Sequence, residues 1–182
     1  MKPPIIGIAG KAGHGKDTIG TILAEYGYER KAFADKVREL ALAIDPIVNF
    51  GKYETYRLSH LVDKVGWDEA KEHPGARRTL QRVGEGGRQV FGLWVWIDAL
   101  FDTIDKRDGR YTITDVRYAN EVEAIHGWRG VVWYVNRPGY NNGVPEHVSE
   151  QLDPTLCDLV IENDGTVDDL RQKVQKLMDA YR

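Results

Sequence analysis

Apolar positions along this chain change period repeatedly, from runs of strand length to stripes of helical spacing. Ile5-Ile6-Gly7-Ile8-Ala9 is a short apolar run, and after nine intervening residues Ile19, Ile22, Leu23 and Tyr26 recur on one helical face. Glu29 to Ala34 predicts a second short strand, and Lys36 to Ile44 a helix with Val37, Leu40, Ala41 and Ile44 inward, ended by Pro46. Residues 47–53 read as a loop, and 54–66 as a helix striped by Leu58, Leu61, Val62 and Val65. Beyond His73-Pro74-Gly75 a long helix is expected from about Ala76 to Val90, then another over Leu93 to Ile104. The second half predicts a strand at Tyr111–Thr114 with Asp115 at its end, a helix at Asn120–His126 and an apolar strand at Gly130–Asn136. A Gly/Asn/Pro-rich loop over 137–149 precedes a last strand at Leu156–Ile161. The turn Asn163-Asp164-Gly165-Thr166 then leads, with Thr166 as N-cap, into a closing helix Val167–Tyr181. Five strands alternating with helices predict a parallel sheet covered on both sides, a three-layer α/β fold. No repeat or linker divides the chain, so one domain over 1–182 is expected. Ligands of such sheets sit beyond the carboxyl ends of the strands.

Gly10-Lys11-Ala12-Gly13-His14-Gly15-Lys16-Asp17-Thr18 joins the first predicted strand to the first predicted helix. Strand, glycine-rich turn and helix is the setting that a phosphate-binding loop requires. Gly10, Gly13 and Gly15 allow a tight turn and a close approach of backbone to ligand. The N–H groups at the helix start then converge where the helix dipole favours negative charge. Lys16 supplies a mobile cation for the β- and γ-phosphates. Asp17 stands where a Ser or Thr usually follows the lysine, with Thr18 one residue later. A carboxylate is a good ligand for a hard cation but would repel bare phosphate. Asp17 is therefore expected to work with Mg²⁺, directly or through water. The plainer alternative is a helix start with a capping Asp; the preceding strand and the intact Gly15-Lys16 favour nucleotide binding.

Composition narrows the setting. A chain of 182 residues, 42% hydrophobic and 29% charged, matches one soluble globular domain. A net charge of −3 argues against a general nucleic-acid surface, so cationic chemistry must be local. Cys157 is the single cysteine, which excludes an internal disulfide and points to a reducing compartment. The N-terminal apolar run is too short for a signal peptide, and no run approaches a membrane span. The expected setting is cytoplasmic, with neither nucleic acid nor membrane as partner; a homodimer stays open.

All five predicted strand ends carry polar groups: the glycine loop, Asp35 with Arg38, Asp115 with Arg117, Arg137, and Asn163. Asp115 follows Tyr111-Thr112-Ile113-Thr114, a weak form of the strand-then-Asp arrangement that holds Mg²⁺ in phosphate-loop enzymes. In Arg77-Arg78-Thr79-Leu80-Gln81-Arg82-Val83-Gly84-Glu85-Gly86-Gly87-Arg88, a helix would put Arg77, Gln81 and Arg88 on one stripe and Leu80 and Val83 inward. Guanidinium forks suit bidentate phosphate contacts. A solvated face is the commoner reason for an Arg-rich helix, but Gly84, Gly86 and Gly87 weaken a helix and suggest backbone approaching a ligand. Phe91, Trp94, Trp96 and Phe101 read mainly as core, with Trp96 the candidate for stacking on a base. His147, Ser149 and Glu150 lack a partner that would complete a hydrolytic site, so a cap or loop anchor is the better reading.

Four blocks together resemble the phage-type deoxynucleoside monophosphate kinases, within the P-loop nucleoside-monophosphate-kinase-like group. They are Gly10–Thr18 with its Lys16-Asp17-Thr18, then Phe33-Ala34-Asp35 leading into Arg38-Glu39-Leu40-Ala41, then Arg78-x-Leu80-Gln81-x-x-Gly84-x-x-x-Arg88, then Thr114-Asp115-Val116-Arg117-Tyr118-Ala119-Asn120-Glu121. Lys36 stands where a proline is common in that family. The resemblance implies a P-loop kinase fold with a helical acceptor-binding insertion at about 47–107 and a candidate lid at 137–149. It implies transfer of the γ-phosphoryl of ATP to a deoxynucleoside 5′-monophosphate, giving the diphosphate, in a phage host's cytoplasm if phage-encoded. Gly10, Ala12, Gly13, His14, Gly15, Lys16 and Thr18 would then meet the ATP phosphates, with Asn163 and Gly165 near the adenine and Arg137, on the candidate lid, also toward ATP. Asp17 and Asp115 would hold Mg²⁺. Asp35, Arg38, Arg78, Gln81, Gly84, Arg88, Trp96, Asp115, Arg117 and Asn120 would bind the acceptor. Lys16, Arg88, Arg117 and Asp115 would serve the transfer itself. The alternatives are a P-loop kinase for another small acceptor, such as dephospho-coenzyme A, and a non-catalytic ATP-binding switch.

Overall fold

The computed structural model describes residues 2–49, 54–105, 109–140 and 152–181. Its organising strand is β1 (Ile5–Ala9), where five apolar or small residues in a row are all buried. Such burial on both faces is what a central strand of a parallel sheet demands. Residues Tyr111–Val116 (β5) pair with it on one side and Val131–Asn136 (β6) on the other, both parallel. Glu29–Lys31 (β2) lies beyond β5, and Leu159–Glu162 (β7) beyond β6, giving the parallel order β2-β5-β1-β6-β7.

Side-chain alternation along β1 decides what covers each face. Ile6 and Ile8 join a core built with Ile19, Ile22 and Leu23 of α1 (Lys16–Ala24) and with Leu170, Val174 and Met178 of α7 (Val167–Ala180). On the opposite face Gly7 leaves room for Ile125 of α6 (Ala119–Gly127), with Val116 and Val132 alongside. Helices on both faces make this the expected three-layer α/β fold. The expected N-cap of α7 is present: Asp169 N–H donates to Thr166 Oγ1, and the Asp169 carboxylate accepts from Thr166 N–H at 2.8 Å. The Thr166 hydroxyl foremost, donating to that carboxylate at 2.7 Å, and then the Thr166 N–H hold the Asp169 carboxyl below the usual carboxylate range.

The chain packs as two compact units, one of Met1–Phe33 with Leu100–Arg182 and one of Ala34–Ala99. The five-stranded sheet belongs to the first. The second is built from α2 (Phe33–Ile44), the antiparallel pair β3 (Ile47–Asn49) and β4 (Thr55–Arg57), α3 (Leu58–Ala70), α4 (Pro74–Phe91) and α5 (Val95–Phe101). Its core is Ala41, Val48, Leu58, Leu61, Ala70 and Ala76, with Leu80 and Val83 packed against it.

Several boundaries differ from the sequence reading. Residues 47–49 and 55–57 form a hairpin where a loop and a helix start were expected; residues 50–53 lie outside the description. Only Val48 of the first hairpin strand is buried, so three residues carry no readable alternation. Helix α3 begins at Leu58 and is broken by Gly66 at φ +74°. The second strand stops at Lys31 because Phe33 already starts α2. The last strand starts at Leu159, since Pro154–Leu156 form a 3₁₀ turn that Asp153 caps through Thr155 N–H at 2.9 Å. Of the candidate lid only 137–140 is described; 141–149, with His147, Ser149 and Glu150, lies outside the described residues. Among the described residues no helix is long and apolar enough to cross a membrane.

Leu170 is 2% exposed within the core of the first unit. Leu170→Ala is expected to lower unfolding free energy by about 3 kcal/mol, measured by denaturant titration.

Candidate functional site

The site begins where β1 leaves the sheet. Gly10 has φ +134°, and a methyl there would collide with the Val135 carbonyl oxygen of β6. Gly15, at φ +103°, is the N-cap of α1. Since the capping residue has no side chain, nothing at that position covers the first-turn N–H groups, as anion binding at a helix start requires. Lys16 Nζ donates to the carbonyls of Gly10 at 2.7 Å and Lys11 at 2.8 Å, so the ammonium is held by the loop it is expected to serve. Ala12 and Thr18 are half-buried, and Asp17 is exposed in the first turn of α1.

The neighbouring strands grip this loop at His14. The residue is 5% exposed. Its Nδ1 accepts from the backbone N–H of Arg137 at 3.0 Å, just past the end of β6. Its carbonyl accepts from the Asn163 side-chain amide at 2.9 Å, just past β7. Asn163, expected near a nucleotide base, thus props the loop backbone. Tyr140 sets its ring edge-on to His14, with centroids 6.0 Å apart, and against Gly13. The Arg137 guanidinium lies 4.8 Å from the centre of that ring. Tyr140 was not singled out from the sequence, and an aromatic in a Gly/Asn/Pro-rich stretch gave no pattern to find it by. Gly165 sits in the turn before α7, against Asp169.

Asp115 lies within β5, one residue before its end, rather than after it. Its Oδ1 accepts from Phe33 N–H at 2.9 Å and so caps the start of α2. Arg117 and Tyr118 both donate backbone N–H to the buried carboxylate of Glu121, at 2.7 and 3.1 Å. That bond fixes the turn carrying Arg117 and the first turn of α6, where Asn120 is half-buried. Glu121, three residues after the N-cap, was readable as a capping position and was not read so. Burial foremost, with Asp158 and Asp153, pushes the Cys157 thiol up to about 11, away from the thiolate form.

Asp35, Arg38, Arg78, Gln81, Gly84, Arg88 and Trp96 belong to the second unit. Arg38 pairs with Asp35 at 3.0 Å and lies over the Trp67 ring. Arg78 and Arg82 line an open cleft of about 170 Å³ with Thr79, Asn49 and Gly75. Arg82, not singled out from the sequence, stands four residues after Arg78, and that helical spacing is the signal that would have found it. Gln81 is exposed, and Arg88 half-buried.

Trp96 and the glycines of α4 need correction. Trp96 is 5% exposed, and its indole N–H donates to the Gly84 carbonyl at 2.8 Å. A methyl on Gly87 would enter the indole ring. Gly87 therefore makes room for a packed tryptophan and no longer speaks for a ligand approaching the backbone, whereas side chains at Gly84 and Gly86 would meet no such crowding. Trp96 is core and offers no face to a base.

Comparisons with known proteins add to this geometry. The family model for deoxynucleotide monophosphate kinase matches residues 77–174. A deoxynucleotide monophosphate kinase of Escherichia phage RB69 is 33% identical over 88 residues, 47% of this chain and 36% of that protein. The match thus spans about a third of the length of this curated relative. Dephospho-CoA kinase from Campylobacter jejuni superposes with a TM-score of 0.52 at 16% identity, over 97% of this chain and 96% of that one. Shikimate kinase from Acinetobacter baumannii gives 0.48 at 20% identity, over 100% and 96%. At 16% identity the first of these likenesses speaks for the fold alone.

The packing of α4 makes a test with an unusual sign. Gly→Ala inside a helix ordinarily adds about 1 kcal/mol. Gly87→Ala is expected instead to lose about 1–3 kcal/mol by overpacking against the indole, read by thermal or denaturant unfolding. A gain would show that Trp96 does not occupy that space.

Proposed function

The chain belongs to the deoxynucleotide monophosphate kinase family, and we propose that it transfers the γ-phosphoryl of ATP to a deoxynucleoside 5′-monophosphate, giving the diphosphate and ADP. The observation that carries the donor half is the glycine loop, which turns β1 into an uncovered helix start with the Lys16 ammonium 2.7 Å from its own Gly10 carbonyl. The acceptor half is supported by the family match, which takes in Arg78, Arg88, Asp115 and Arg117 but not the loop.

The chemistry asks for little acid–base work. A phosphate monoester has a second pKa of about 6 and is largely ionised at neutral pH, so no strong base is needed. Two anions must instead be brought together, by positioning and by charge neutralisation. Lys16, the loop N–H groups and Thr18 take the ATP phosphates. Arg88 and Arg117 meet the transferring group, and Asp35, Arg38, Arg78, Gln81, Gly84 and Asn120 hold the acceptor. Arg137 and Gly165 lie toward the rest of ATP.

Asp17 and Asp115 are hard oxygen donors of the kind Mg²⁺ takes, although one Asp115 oxygen is already bonded to Phe33 N–H. Among the described residues no group of three or more His, Cys, Asp or Glu side chains gathers to hold a metal by itself, so water and phosphate oxygens would complete the shell. When bound, Mg²⁺ would supply charge neutralisation to the reacting phosphates. The substrates are small molecules, and the reaction belongs in a host's cytoplasm if the protein is phage-encoded.

A coupled assay of ATP against the deoxynucleoside and ribonucleoside monophosphates tests the reading; ATP hydrolysis without acceptor stimulation would end it. Lys16→Ala is expected to lower turnover by about 10²–10³-fold with the fold intact by circular dichroism. Arg88→Ala is expected to raise the acceptor KM or lower kcat far more than it changes the KM for ATP; loss of ATP affinity alone would move Arg88 out of the acceptor site.

A further inference from the structure

His14 is the buried titratable side chain of the loop that the transfer scheme leaves without a task. We propose that its neutral imidazole is a positioning residue, clasping the crest of the phosphate loop to the end of β6 and thereby setting affinity for ATP. This rests on reading the loop as the ATP-phosphate cradle.

Three observations carry it. The Arg137 N–H lies one residue past β6, where sheet pairing ends, and the imidazole Nδ1 takes it at 3.0 Å. The carbonyl of the same residue is held by the Asn163 amide at 2.9 Å, so one residue ties the loop to two strand ends. The ring is also walled in, at 5% exposure, with Tyr140 edge-on to it. A loop with glycines at 10, 13 and 15 is costly to hold in one shape. Two bonds at its crest order it before the nucleotide arrives, which raises affinity without touching a phosphate.

The clasp requires an acceptor, so Nδ1 must carry no proton and the ring must be the Nε2–H tautomer. Protonation would set a ring N–H against the Arg137 N–H. The groups facing the ring are Lys11 and Lys16 from the loop and α1, Arg137 and the Val135 carbonyl from β6, and the Tyr140 ring. Burial, foremost, holds the His14 pKa below its usual value; the Val135 carbonyl acts the other way, and Lys16, Lys11 and Arg137 add to the lowering. The sign follows. A base whose folded pKa is depressed contributes its full stability above its ordinary pKa of about 6.5, and loses it as pH falls toward the folded value.

The test uses the full chain, with His14→Ala and His14→Asn, whose Oδ1 replaces the Nδ1 acceptor and cannot be protonated. Mg-ATP binding is measured by calorimetry from about pH 5 to 8. His14→Ala is expected to weaken binding about three- to tenfold at the upper end, with the acceptor KM unchanged. His14→Asn is expected to recover most of that loss. The wild-type to His14→Asn affinity ratio cancels the titration of ATP itself; it should stay level through histidine's ordinary pKa and fall only as pH approaches the depressed value of the folded protein. Long-range ¹⁵N–¹H spectra should show the Nε2–H tautomer for His14. Equal binding by His14→Ala, no recovery in His14→Asn, or an Nδ1–H tautomer overturns the proposal, and the tautomer decides even if His14→Ala does not fold. If even the wild type binds no Mg-ATP, while exchange protection of the Arg137 amide is lost in His14→Ala and kept in His14→Asn, the clasp stands and the nucleotide reading falls.

Discussion

The site depends on one close approach, that of the Gly10 backbone to the Val135 carbonyl, which leaves no space for a side chain. A strand buried on both faces has to leave its sheet without exposing apolar residues or stranding polar backbone. Here β1 does so by passing against β6 and turning at once into α1. The loop in between inherits its position from the most buried strand in the first unit. The end of β6 also supplies the Arg137 N–H that meets His14. Rigid sheet and adaptable loop thus share atoms.

Around that loop, side chains serve the backbone more often than expected. Asn163 props a carbonyl, Asp115 caps α2, and Glu121 gathers two N–H groups below Arg117. Polar residues at strand ends therefore do not all reach for a ligand. Each strand end is also a place where sheet hydrogen bonding stops, and the orphaned groups need partners.

Much of this was legible in the residues because it rests on local rules. The loop between a buried strand and a helix, the Thr166 cap and the parallel sheet all follow from spacing within about fifteen residues. What escaped was set by contacts distant in sequence. The hairpin of 47–49 with 55–57 is too short to show a period, and only its pairing reveals it. The glycines of α4 had two consistent explanations, ligand or packing, and nothing local chose between them. For Gly87 alone, the indole of Trp96, nine residues further on, chose packing.

That indole also couples the histories of two positions. With tryptophan at 96, residue 87 is confined to hydrogen for a side chain. A lineage that first shrinks the ring is then free to place a methyl at 87 and gain a better helix. One that tries the opposite order passes through a crowded ancestor. The order of replacement, and not just its outcome, is written into the geometry of a single helix.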